Sequence, residues 1–180
     1  MDLIDALDRS FAHACDGVAG VRPDQYDDKT PCTEWTVRDL LGHMIGVVDG
    51  LGATIRGTST EPFVLGSDPA AQLRAAASSA MAGWRTPGAL DQIVEAGPGP
   101  MPGRVLAGIN LLDTATHTWD LAIATGQPSA LPDDVAATAL EASREIVNAE
   151  LRPGRFGPEV PAPAGATPTE ALVAFLGRTP

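Results

Sequence analysis

Arg104–Thr125 reads RVLAGINLLDTATHTWDLAIAT and runs into Gly126 and Pro128, the glycine-then-proline pattern that stops a helix. The stretch is predicted as one long helix. Within it Ile109, Asp113, His117 and Leu121 form a single row, each four residues from the next. Residues i and i+4 project from the same side on successive turns, so a carboxylate and an imidazole share a face bounded by apolar side chains at both ends. A long helix with that pair facing inward needs other helices around it.

The rest of the chain supplies them. Thr36 precedes Val37-Arg38-Asp39, an S/T-x-x-acid arrangement like a capping box with Asp in place of Glu or Gln, and Asp39 suits the positive end of the helix dipole. The helix that starts there is predicted to reach about Ile55 and stop near Gly57. His43 lies on it among Leu40, Val47 and Leu51, on the apolar face. A first helix is predicted from Asp2 to about Ala19, with Leu3, Leu7, Phe11, Ala14 and Val18 at helical spacing. A third, Ala-rich one, capped by Ser67 or Asp68 and opened by Pro69, reaches about Trp84. A Pro/Gly stretch from Gly97 to Gly103 leads into the Arg104 helix. A fifth helix opens at Pro132 and ends near Glu150; residues 153–168 are irregular; a short last helix covers Thr169–Leu176. No convincing strand is expected. The fold class predicted is an all-α bundle, one domain over residues 1–180.

Composition agrees. Of 180 residues, 44% are hydrophobic and only 4% aromatic, which favours helices packed through small side chains. The net charge of −11 repels phosphate backbones and anionic lipid, so neither nucleic acid nor a membrane surface is an expected partner. The acidic N-terminus has no signal-peptide pattern, and no run of about 18 apolar residues spans a bilayer. The two cysteines, Cys15 and Cys32, lack C-x-x-C spacing and suggest no disulfide framework. A cytoplasmic location is expected.

His43, Asp113 and His117 are the candidate site. Polar groups facing a bundle interior need partners, and a divalent ion held by two histidines and a carboxylate satisfies all three while leaving positions open for water or substrate. Spacing alone leaves a second reading open: Asp113 and His117 hydrogen-bond each other and His43 is a satisfied core histidine. Asp120 reads as a fourth ligand, as an acceptor fixing the tautomer of His117, or as a surface acid. Trp119 is expected in the core, His13 in solvent. Cys32 has no basic neighbour in sequence closer than Lys29 and is read as structural.

Two stretches carry a family resemblance. Thr30–His43, TPCTEWTVRDLLGH, resembles the second-helix start of actinobacterial proteins related to the N-terminal domain of mycothiol-dependent maleylpyruvate isomerase; His117–Gly126, HTWDLAIATG, resembles their H-x-W-D-L-A-x-A-x-G segment. The family belongs to the DinB-like superfamily of four-helix bundles with a divalent metal at one end. The resemblance implies that fold with additional short C-terminal helices, and the ligands His43, Asp113 and His117. A His/His/carboxylate set with open positions suits zinc, with nickel or iron as alternatives; the resemblance implies a small thiol such as mycothiol, an electrophilic small-molecule substrate and a homodimer. The activity implied is a thiol-dependent transferase or isomerase. A non-catalytic bundle with a structural metal or none, and a metal-dependent hydrolase, are the other expectations. The chain departs from the family in having Asp113 where Glu is usual, and it ends before the isomerase's further C-terminal domain, so maleylpyruvate itself is not the expected substrate.

Overall fold

The computed structural model describes residues 1–97 and 99–180. Four long helices form the bundle: α1 (Leu3–Ala19), α2 (Val37–Ile55), α3 (Pro69–Trp84) and α4 (Gly103–Thr125). Each touches two others, α1 and α2 both packing on α3 and on α4, so the order around the bundle is α1, α3, α2, α4. Outside it, α5 (Asp133–Ile146) packs on α4 and α1, and α6 (Pro168–Phe175) on α5.

The helix starts follow local chemistry. In α2 the Thr36 hydroxyl accepts from the Asp39 amide at 3.3 Å and the Asp39 carboxylate accepts from the Thr36 amide at 2.9 Å, completing the reciprocal box read from sequence. Asp68 caps α3, accepting from the Ala71 amide, with Pro69 in the first turn. Thr167 and Glu170 build a second capping box on α6. Leu7, Phe11, Leu40, Leu41, Met44, Ile45, Leu73, Leu106, Leu111 and Leu121 fill the interior, and Trp84 and Trp119 are buried with them. Small residues let helices approach: a Cβ placed on Gly52 of α2 would lie 2.7 Å from the Ala80 Cβ of α3.

Two expectations need correction. The fold is not strictly all-α, because β1 (Ile93–Ala96) and β2 (Gly99–Pro102) form an antiparallel pair, Ile93 opposite Pro102 and Ala96 opposite Gly99. Of the expected Gly97–Gly103 connection, residue 98 lies outside the described residues. The pair is tied to the bundle by backbone bonds, Gly103 donating to the Gln92 carbonyl and Arg104 to that of Leu90, and by the Gln92 side chain on the Ile55 carbonyl. Those tertiary anchors override the turn-like composition. The fifth helix also ends earlier than expected, at Ile146. Val147 turns extended, and the Asn148 side chain accepts from the Glu150 and Leu151 amides, offering the backbone a local alternative to another helical turn. Among the described residues no helix is long and apolar enough to cross a membrane.

Candidate metal centre

Helix α2 brings His43 across to α4, where Asp113 and His117 sit one turn apart. The His43 Nε2 is 3.1 Å from the Asp113 Oδ1, and the His117 Nε2 is 3.6 Å from the same oxygen. One ligand atom from each of the three lies within 4.8 Å of the others, a set able to hold a metal ion. The two imidazoles meet edge to face with centroids 4.8 Å apart. Exposure falls across the site: the His43 side chain is 29% exposed, His117 12% and Asp120 0%. The centre therefore opens to solvent on the α2 side and closes on the α4 side.

Trp35 covers the imidazoles, its ring centroid 4.6 Å from His43 and 5.7 Å from His117. It is delivered by a tightly bonded loop. The Trp35 amide donates to the Cys32 carbonyl at 2.7 Å, the Thr30 amide to the Trp35 carbonyl, and the Thr30 hydroxyl bridges this turn. An antiparallel bridge between Lys29 and Thr36 closes the loop just before α2 begins.

The far side of His117 is a second cluster. Its Nδ1 donates to the Asp120 Oδ2 at 2.9 Å, and the same oxygen accepts from the Cys32 thiol at 3.3 Å. Arg178, beyond α6, forks onto both oxygens: Nη2 to Oδ2 at 2.8 Å and Nε to Oδ1 at 3.2 Å. Cys32, His117 and Asp120 form a further group with metal-ligating atom types, but its carboxylate is already bonded on both oxygens.

Charge in this pocket is unevenly settled. Burial opposes a charged His117, yet the Asp113 charge and the hydrogen bonds that its Nδ1 makes to Asp120 and Cys32 outweigh it, and the ring is pushed up to about 10. Burial likewise opposes a charged Asp120, but the bonds from His117 and Arg178 prevail and hold its carboxyl below the ordinary range. The Asp113 Oδ2 is different. It is buried and accepts no hydrogen bond among the described residues.

The three residues picked from helix faces thus converge. Asp120 is fully buried, which removes the surface-acid reading. Cys32, read as structural because no basic residue stands closer in sequence than Lys29, has the Arg178 Nη2 3.7 Å and the His117 Nδ1 3.8 Å from its sulfur, neighbours that sequence spacing does not show. His13 is half-buried on α1 and joins neither cluster. Trp35 and Arg178 were missed. A tryptophan next to the capping box of the histidine-bearing helix was a usable signal for the first; nothing local marks the second.

A helical bundle presenting two histidines and a carboxylate from facing helices is the class defined by this fold and site. The chain belongs to the mycothiol maleylpyruvate isomerase N-terminal domain family, whose model matches residues 7–122. It is 38% identical over 164 residues to uncharacterized protein Rv0738 of Mycobacterium tuberculosis strain H37Rv and to uncharacterized protein MT0763 of strain CDC 1551, covering 90% of each chain in both cases. The crystal structure of the mycothiol-dependent maleylpyruvate isomerase shares the fold at a TM-score of 0.51 and 14% identity, and a histidine-to-alanine mutant of it at 0.55 and 13%. Each superposition covers 77% of this chain and 68% of that one.

Proposed function

We propose that His43, Asp113 and His117 hold one divalent cation, zinc by preference, and that the protein is a thiol-dependent transferase or isomerase acting on a small electrophile. The observation that carries the metal reading is the orphaned Asp113 Oδ2 beside two imidazoles. A hydrogen-bonded trio without an ion would satisfy Oδ1 alone and leave a buried carboxylate oxygen bare, at a cost of about 1–3 kcal/mol or more. A cation accepts that lone pair, so the donor set fits the group, and a mixed nitrogen and oxygen set with an open position suits zinc.

The residues divide the work. His43 and His117 would offer Nε2 lone pairs, that of His117 once the ion takes the place of the proton that Asp113 and Asp120 otherwise hold on the ring, and Asp113 offers the charge that offsets the ion. Asp120 keeps a proton on the His117 Nδ1, which directs the Nε2 lone pair into the site. Trp35 shields the imidazoles from water and leaves an apolar wall beside the open face. A bound divalent ion supplies a positive charge that favours the thiolate form of an incoming small thiol. The thiol class follows the family: the mycothiol in the family's name is the cofactor proposed here.

Metal analysis of the purified chain and its His43→Ala variant tests the first half. Wild type should carry about one zinc per chain and the variant much less; equal content in both would refute the ligand set. For the second half, a cobalt-substituted sample is titrated with mycothiol. A thiolate-to-cobalt charge-transfer band is expected, and its absence would leave a metalloprotein without the thiol chemistry.

A further inference from the structure

On the α4 side of the site, Cys32 and Arg178 reach Asp120 from segments distant in sequence, and neither belongs to the ligand set. We propose that Arg178 is a positioning residue for the metal centre: its fork on Asp120 fixes the carboxylate that in turn fixes the ring of His117. This rests on the metal reading above and extends it to a residue 58 positions from Asp120 in sequence.

The geometry is that of a clamp. Asp120 is fully buried, so its charge needs a partner that will not leave. Arg178 provides one through two parallel N–H···O bonds, the arrangement that sets a carboxylate's plane as well as its charge. With both oxygens engaged, Asp120 cannot turn about its side chain, and the Oδ2 stays 2.9 Å from the His117 Nδ1. That bond sets the ring rotation and hence where Nε2 points. Without the fork the carboxylate keeps only the His117 and Cys32 contacts, both on Oδ2, and is free to swing.

The arginine is itself held in place before any ligand arrives. Its amide donates to the Val173 carbonyl and its Nη1 to that of Leu176. Gly177 just before it adopts φ +86°, and a Cβ there would fall 2.6 Å from the Gly157 Cα, so two backbones touch at a point only glycine permits. Arg152 ties the same junction, its Nη1 donating to the carbonyls of Gly157 and Phe175. The segment after α5 and the turn after α6 thus form a rigid mount for one guanidinium aimed at the metal-binding helix.

Zinc affinity, measured by competition with a chromophoric chelator, is compared among wild type, Arg178→Ala and Arg178→Lys, with thermal melts of the metal-free proteins and absorption spectra of the cobalt forms. Loss of such an outer partner typically weakens metal binding by about 10–100-fold, and that loss is expected for Arg178→Ala together with an altered cobalt spectrum. Arg178→Lys should recover only part of the affinity, since an ammonium keeps the charge but cannot make the fork. A melting point lowered with zinc affinity and cobalt spectrum unchanged would mean a purely structural arginine and overturn the proposal. So would a lysine variant as tight as wild type, and that comparison decides the matter if the alanine variant does not fold. Wild type failing to bind zinc at all would instead bring down the metal reading on which the proposal stands.

Discussion

Asp113 is the residue on which the proposed metal reading turns, because the two oxygens of its carboxylate have different fates. Oδ1 already meets both imidazoles, while Oδ2 is left bare. Replacing it with Asn preserves shape and removes the charge that a divalent ion needs. Asp113→Asn should therefore lower zinc affinity by more than the roughly 10–100-fold typical of an outer partner. Asp113→Glu keeps the charge on a side chain one methylene longer; it should retain zinc well above the Asn level. Calorimetric titration of both variants checks this, and equal binding by Asn and Glu would remove Asp113 from the ligand set.

At the scale of elements, α2 must bring His43 to α4 while lying close against α3, and glycines make that possible. Gly50 and Gly52 are two residues apart on this helix but face different surroundings. A Cβ on Gly50 meets nothing within 4 Å, whereas one on Gly52 meets Ala80, including its Cα at 2.8 Å. Alanine relieves the same glycine penalty at both positions, about 0.5–1 kcal/mol. Gly50→Ala should raise the melting temperature. Gly52→Ala adds a clash with backbone, and overpacking of this kind costs about 1–3 kcal/mol; it should lower the melting temperature and, by prising α2 from α3, loosen the placement of His43. Chemical denaturation of the pair gives the sign directly.

For the molecule as a whole, the proposed ion would bridge α2 and α4 in the folded chain and lose that geometry in the unfolded one, so it would act as a staple. At a free zinc concentration 100 times Kd, mass action contributes about 2.7 kcal/mol, which for a chain of this size raises Tm by about 5–10 °C. Chelator should reverse the shift, and the His43→Ala variant should show none of it. The strongly acidic surface, −11 net, plays no part in that staple; it repels polyanions and keeps the chain dispersed.

The helices were legible from the chain alone because their causes are local. The Thr36–Asp39 box, Asp68 before Pro69, and Gly126 at φ +70° ending α4 each act within one turn. The row Asp113, His117 was equally local, and the face that His43 shares with Leu40, Val47 and Leu51 set it at the border of the core, where its side chain is 29% exposed. What no window of sequence contained was convergence across distance: Trp35 over the imidazoles, Cys32 against His117, and Arg178 forking onto Asp120 from 58 positions further along the chain. The β1–β2 pair likewise depends on anchors to α2 and α4 that override its proline and glycine content. Periodicity and capping are properties of neighbouring residues, so sequence determined the helices and which side chains faced in. Which of them meet around one point depends on how helices pack, and only the tertiary structure decided that.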